Sequence, residues 1–205
     1  MPLVRHDKTP LLGIWEIAES WQEMLIALKN KDVYAADLHK IQSDKRKQEW
    51  IAVRLLLQQL ARARTFIIYG QNGAPFLSDG SYNISIAHTK GFAAILLSKH
   101  NKPGIDIEYR SERAWKLRKK FLNKNEWTNH VLNATDYATV CWCAKETAFK
   151  ALGETAIDFA EHLIIEPFHL STEGILFLQE TRTRQQQRFT IRYEVNEPFI
   201  LTWKE

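Results

Sequence analysis

Cysteine is scarce in this chain of 205 residues: there are two, Cys141 and Cys143. They stand two apart in a stretch that reads as helix, so they point in different directions and do not form a disulfide with each other. With no third or fourth cysteine, a cysteine-built zinc cluster is also excluded. Both read as small, semi-buried apolar residues. Long apolar runs are missing too, so no segment is expected to span a membrane. The first ten residues carry Arg5, Asp7 and Lys8 without an apolar core, unlike a secretory signal. A cytoplasmic protein is expected. No stretch rich in Pro, Gly or Ser marks a linker, and nothing is low in complexity.

What is present is ordinary in bulk: 45% apolar and 25% charged residues, as in a soluble globular protein. The length suits one core or two small packed subdomains. The net charge of +4 is unevenly placed. From Arg110 to Lys124 there are seven basic residues and one acid, Glu112, so this segment contributes +6 and the rest of the chain sums to −2. Such a face either meets an acidic partner or is simply a solvated helix surface.

The pattern predicts a strand over Leu11–Ile17, a helix over Trp21–Leu28 capped by Ser20, and a longer helix from Ser43 to about Ala63. The inner face of that helix is Trp50, Val53, Leu56, Leu57 and Leu60. Strands follow at Phe66–Tyr69, Ile84–His88, Phe92–Ser98 and Ile105–Glu108. Helices are predicted over Glu112–Phe121 and from Asp136 to Leu152, the latter stopped by Gly153. The remainder is strand and turn, with strands at 163–165, 174–178, 189–195 and 199–203.

A faint repeat lays the helix from Trp50 to Leu60 on that from Trp142 to Leu152, with Trp, Ala and the last Leu coinciding. If it is real, the chain is an α+β protein of two similar halves, 1–103 and 104–205. The halves are then related by a pseudo-twofold axis, with a site at their interface.

Two strings carry the chemistry. In Gly104-Ile105-Asp106-Ile107-Glu108, the two acids leave one face of a strand and the two isoleucines face the core. Paired acids repel unless a cation sits between them. They are either ligands for a hard ion such as Mg²⁺ or a solvent-facing acidic stripe on an edge strand. In Trp142-Cys143-Ala144-Lys145-Glu146-Thr147-Ala148-Phe149-Lys150, Glu146 and Lys150 share a helix face with Trp142. That is either a common helix ion pair or the wall of a polar site, and the semi-buried setting favours a site. Together these strings supply three carboxylates and two cations, which suits a magnesium-bound diphosphate. His88, at a strand end before Thr89-Lys90-Gly91, is either a packed residue or a phosphate grip. Lys45, Arg46, Lys47 and Arg54 form a second basic cluster. Arg54, on an apolar helix, either snorkels or binds a fixed anion.

The two strings together resemble the paired signature of the 4′-phosphopantetheinyl transferase superfamily. Ile84-Ser85-Ile86-Ala87-His88-Thr89, Phe121-Leu122-Asn123-Lys124-Asn125-Glu126 and Arg54-Leu55-Leu56 resemble other pieces of it, in the family's order, over about residues 45 to 153. Length and repeat resemble the surfactin-synthetase-activating type, a monomeric pseudodimer. The resemblance implies transfer of the 4′-phosphopantetheine arm of coenzyme A to a serine of an apo carrier protein, leaving adenosine 3′,5′-bisphosphate. It implies Mg²⁺ held by Asp106, Glu108 and Glu146, with Glu146 or a metal-bound water beside it taking the serine proton. Lys150 would stabilise charge on the transferring phosphoryl group, with Lys145 as helper. His88 would touch the diphosphate and Arg54 the 3′-phosphate. The basic segment after Glu108 would face the acidic carrier protein. Neither nucleic acid nor membrane is an expected partner.

Two departures from the family pattern stand out. Gly73-Ala74-Pro75 lacks the lysine of the family's Gly-Lys-Pro, which leaves Lys90 or Arg46 to replace it. Ala87 stands where the family has Ser before its His. These leave room for a relative that binds carrier protein without catalysis. A third reading is a nucleic-acid-binding module on residues 110–124 with Trp115 and Trp127, which needs exposed aromatics between the cations and leaves the acids unexplained.

Overall fold

Apolar alternation and helix caps organise each half of the chain around one long helix. The computed structural model describes residues 3–61, 65–127 and 133–205. It divides into two units, Met1–Asn101 and Lys102–Glu205.

In the first unit, β1 (Leu3–Lys8) and β2 (Leu11–Glu16) lead into α1 (Trp21–Ala27), α2 (Lys31–Lys40) and α3 (Asp44–Leu60). A short hairpin of β3 (Ile67–Tyr69) and β4 (Pro75–Leu77) follows, then β5 (Asn83–Thr89) and β6 (Phe92–Ser98). The sheet runs β1-β2-β6-β5, antiparallel throughout. Ser43 caps α3 by accepting from the Arg46 N–H. The predicted face of α3, from Trp50 to Leu60, is buried, and Ile51, Ala52 and Leu55 are buried as well. This helix is therefore enclosed on more than one side. It ends at Leu60 with Ala61 as an extended C-cap, and residues 62 and 63 of the expected helix lie outside the described residues.

The second unit opens with β7 (Gly104–Tyr109), α4 (Arg113–Leu117), a 3₁₀ turn (Arg118–Lys120), α5 (Lys124–Trp127) and α6 (Ala134–Leu152). The helix expected over Glu112–Phe121 is thus a short helix and a tighter turn. Then come α7 (Phe159–His162), β8 (Leu163–Ile165), β9 (Glu173–Glu180), β10 (Arg188–Val195) and β11 (Phe199–Lys204). The sheet order is β7-β11-β10-β9-β8, again antiparallel. Helix α6 lies on it, against β7, β11 and β10. Gly153 closes α6 with φ +69°, its N–H bonded to the Phe149 carbonyl, as its C′ position requires.

The faint repeat has a topological counterpart. Each unit runs strand, long helix, then a hairpin whose last strand returns beside the first: β6 beside β2, and β11 beside β7. Strand β1 and helix α2 were not expected. Strand β1 has only Leu3 and Val4 as apolar residues and is half-exposed, and α2 buries only Tyr34 and Leu38. Neither carries the periodicity that reveals an element.

Candidate active site: an acid cluster beneath α6 and a basic cluster on α3

Gly104, Asp106 and Glu108 share the face of β7 that α6 covers. A side chain at Gly104 would overlap the Thr147 carbonyl oxygen, and even the Thr147 carbonyl carbon would lie 3.0 Å from its Cβ. The glycine lets helix and strand approach this closely. The acids are therefore not a solvent-facing stripe. Asp106 is buried at 7% exposure, and Glu108 accepts from the Trp142 indole N–H at 3.2 Å. Ile105 and Ile107, on the other face, are buried as expected.

Helix α6 answers with one cation and one acid at i, i+4. The Lys150 ammonium donates to Asp106 Oδ1 at 2.8 Å and to the Ile105 carbonyl at 3.0 Å. Burial alone would lower its pKa, but Asp106, by charge and hydrogen bond, and then Glu146 outweigh that and hold it above its usual value. Glu146 is half-buried one turn away. Burial, then the charges of Asp106 and Glu108, push its carboxyl up to about 7 against the pull of Lys150. A carboxyl ionising near neutral pH is matched to proton transfer. The Cys143 thiol beneath is held well above its usual range by burial and by Asp106 and Glu108. The site thus holds three acids against one lysine.

Lys145, expected as a helper there, is elsewhere. It is fully buried, and its ammonium donates to the carbonyls of Phe121 (2.7 Å) and Phe159 (2.9 Å) and to Glu126 Oε2 (2.8 Å). One residue along a helix is a turn of about 100°, which takes Lys145 away from the face of Glu146. Glu126 in turn accepts from the backbone N–H groups of Asn123 and Ile165. This buried ion pair ties α6 to α5, α7 and β8.

In the first unit, His88 and Arg46 meet: Arg46 Nη1 lies 2.6 Å from His88 Nε2. Lys90 is exposed in the β5–β6 turn beside Gly91, whose φ of +77° the turn needs. Arg54 is not with them. It is 3% exposed, stacked on Trp50 with its guanidinium carbon 3.1 Å from the ring centroid, and it donates to the Trp50 carbonyl at 2.9 Å. Burial lowers its pKa to about 10 despite Tyr69 and Tyr34. This cation does not snorkel, and its Nε has no hydrogen-bond partner among the described residues. It packs within the core through the i, i+4 neighbour Trp50.

Of the basic segment, Arg110 is engaged by Asp136 and Glu197, Lys116 by Glu112, and Arg118 by the Trp115 ring and carbonyl. Trp115 packs on the core and Phe121 lies within it, so neither is a stacking platform. The side chain of Trp127 lies outside the described residues.

The model of the 4′-phosphopantetheinyl transferase superfamily matches residues 102–202, and that of the 4′-phosphopantetheinyl transferase N-terminal domain matches residues 36–98. The chain belongs to the 4′-phosphopantetheinyl transferase superfamily. No curated protein matches it. The two matches fall within the two units, and the acid cluster lies in the superfamily's own match. Among the described residues no three His, Cys, Asp or Glu side chains converge as a ready-made ion site. The donor set still suits Mg²⁺. This ion needs only one or two carboxylates, because substrate phosphates and water fill its other positions. Beyond the weak thiol of Cys143, the buried Asp106 Oδ2 has no hydrogen-bond partner among the described residues. That is an acceptor waiting for a cation.

Three residues of this transferase chain escaped the motif reading. Glu126 was noted only as part of a segment, and nothing local signals that it meets Lys145. Gly104 belongs to the motif, but its reason is the packing of α6. Glu49 shows its importance only in the structure, as an acid buried on α3.

Proposed function

We propose that this protein transfers the 4′-phosphopantetheine arm of coenzyme A to a serine hydroxyl of an apo acyl or peptidyl carrier protein. In this reading it acts as a cytoplasmic monomer of the surfactin-synthetase-activating type. The observation that carries the proposal is the acid cluster within the superfamily match: Glu146 on α6 set beside the pair that Lys150 makes with buried Asp106, with Glu108 next to them.

Phosphoryl transfer asks for positioning and charge neutralisation more than for covalent help. Asp106 and Glu146, with Glu108 beside them, would hold Mg²⁺. When bound, the ion supplies positive charge to the diphosphate oxygens. Lys150, charged throughout because Asp106 and Glu146 favour its protonated form, faces the charge that builds on the transferring phosphoryl group. Glu146 accepts the serine proton. The serine oxygen then bonds to phosphorus as the bond from phosphorus to the bridging oxygen breaks, and adenosine 3′,5′-bisphosphate leaves with that oxygen. Arg46 and His88 grip coenzyme A phosphate, with Lys90 nearby in sequence. In this reading Lys145 takes no part, because three acceptors saturate its ammonium, while Arg54, whose Nε has no hydrogen-bond partner among the described residues, keeps its place toward the 3′-phosphate. The exposed basic residues of 110–124, Arg113, Lys116, Lys119, Lys120 and Lys124, offer an acidic carrier protein a steering surface.

The test is intact-protein mass spectrometry of an apo carrier protein incubated with this protein, coenzyme A and Mg²⁺. A gain of one phosphopantetheine mass is expected, lost without metal and in Glu146→Gln. Absence of that gain across fatty-acid, polyketide and peptide carrier proteins overturns the proposal. The same result with coenzyme A binding intact would favour the non-catalytic relative, and would make Ala74 and Ala87 the first residues to restore to the family's Lys and Ser.

A further inference from the structure

Glu49 sits on α3, one turn after Arg46, and is 8% exposed. Its carboxylate is flanked by Arg46, His88 and Lys45. Oε2 accepts from Arg46 Nη1 at 3.3 Å and lies 3.5 Å from His88 Nδ1, while Oε1 lies 3.9 Å from the Lys45 ammonium. Arg46 Nη1 also lies 2.6 Å from His88 Nε2. A guanidinium only donates. His88 Nε2 must therefore accept, which puts the ring proton of the neutral imidazole on Nδ1, the nitrogen beside Glu49. One buried carboxylate thus lies against both a half-exposed arginine and a histidine from another element.

We infer that Glu49 is a positioning residue that holds Arg46 and His88 together as one phosphate-gripping unit. The inference rests on the reading that these two residues bind coenzyme A. Its physical content is pre-organisation. A free surface arginine loses side-chain freedom when it binds a phosphate, and a partner that has already ordered it removes that loss. With Nη1 engaged by His88 and Glu49, the remaining N–H groups of Arg46 stay available as a fork for phosphate oxygens.

The sign of the effect separates this role from a bland one. If Glu49 is merely an acid near an anion site, its removal relieves repulsion, and coenzyme A binds equally well or more tightly. If Glu49 positions Arg46 and His88, its removal weakens binding although a negative charge has gone. Glu49→Ala is expected to raise the coenzyme A Kd, and KM in the transfer assay, about tenfold, with kcat within about twofold. Glu49→Gln keeps an oxygen for Arg46 and guards against misfolding of the alanine variant. It is expected to give a smaller rise in the same direction, with an unchanged melting temperature. An unchanged or lower Kd in folded Glu49→Gln and Glu49→Ala overturns the inference.

Nitrogen-15 NMR of the free protein, labelled at histidine and assigned with His88→Gln, supplies a readout independent of coenzyme A. The wild type is expected to show His88 protonated at Nδ1, and Glu49→Ala to lose that preference. If the wild type fails to bind coenzyme A, the transferase reading falls. The His88 tautomer then decides the positioning role alone: a preference unchanged in Glu49→Ala refutes it, and a lost preference upholds it.

Discussion

Lys145 and Lys150 stand five residues apart on α6 and have opposite environments. Lys145 is sealed: three acceptors saturate its ammonium, and burial pulls its pKa down against Glu126. Lys150 faces a carboxylate excess, and its pKa is raised despite burial. Around Lys145 every charge is matched, which makes a joint. Around Lys150 two further acids are left over, which makes a site. A surplus of one sign, maintained in a buried place, signals chemistry more reliably than burial of charge does.

The comparison breaks most sharply at Glu146. Glu146→Gln is expected to lower the transfer rate by about 10³-fold, within the usual range for loss of a positioned proton acceptor, with melting temperature unchanged or slightly higher because a crowded charge has gone. At Lys145 the expectation inverts. Lys145→Met leaves Glu126 buried and unpaired and should lower stability by about 3–5 kcal/mol in a denaturant melt, with activity per folded molecule retained. Lys145→Met with Glu126→Leu should recover part of that stability. If Lys145→Met were as stable as the wild type but inactive, the assignment of the two lysines would be reversed. Gly104→Ala touches only the Lys150 side. A methyl group at this point forces α6 off β7, at a cost of about 1–3 kcal/mol, and should reduce transfer further than that loss explains, because Lys150 and Asp106 separate.

The smallest effect sharpens the comparison by pH. Folding raises the Glu146 pKa from 4.5 to about 7, so the folded state holds that proton more tightly than the unfolded state. The contribution is fully present below about pH 4.5 and is lost as pH rises through 7, on the order of 3 kcal/mol. Metal-free protein should therefore show a melting temperature that falls over this window, through this group. Millimolar Mg²⁺ should flatten the fall, and Glu146→Gln should abolish it. A fall that Mg²⁺ leaves unchanged argues against an ion at these acids.

Periodicity made much of this legible. Two-residue alternation put Asp106 and Glu108 on one face, and four-residue spacing joined Glu146 to Lys150, because both relations are local. The fates of Lys145 and Arg54 were not so plain. Lys145 points where Glu126 arrives from nineteen residues away, and no local rule foretells that meeting. Arg54 was readable in principle, since Trp50 precedes it by four. Strand β1 and helix α2 stayed hidden because their stability comes from neighbours rather than from a patterned face.

The two cysteines turn α6 into its own gauge. Both thiols are buried, and burial first among several causes holds each far above its usual range, so a thiol reagent meets neither reactive thiolate nor access in the closed protein. Modification must wait for the helix to open. The labelling rate under native conditions therefore reports the opening free energy of the one element that carries the joint at Lys145 and the site at Lys150. Slower labelling on adding Mg²⁺ or adenosine 3′,5′-bisphosphate, which carries no thiol to compete for the reagent, would give ligand affinity without any turnover.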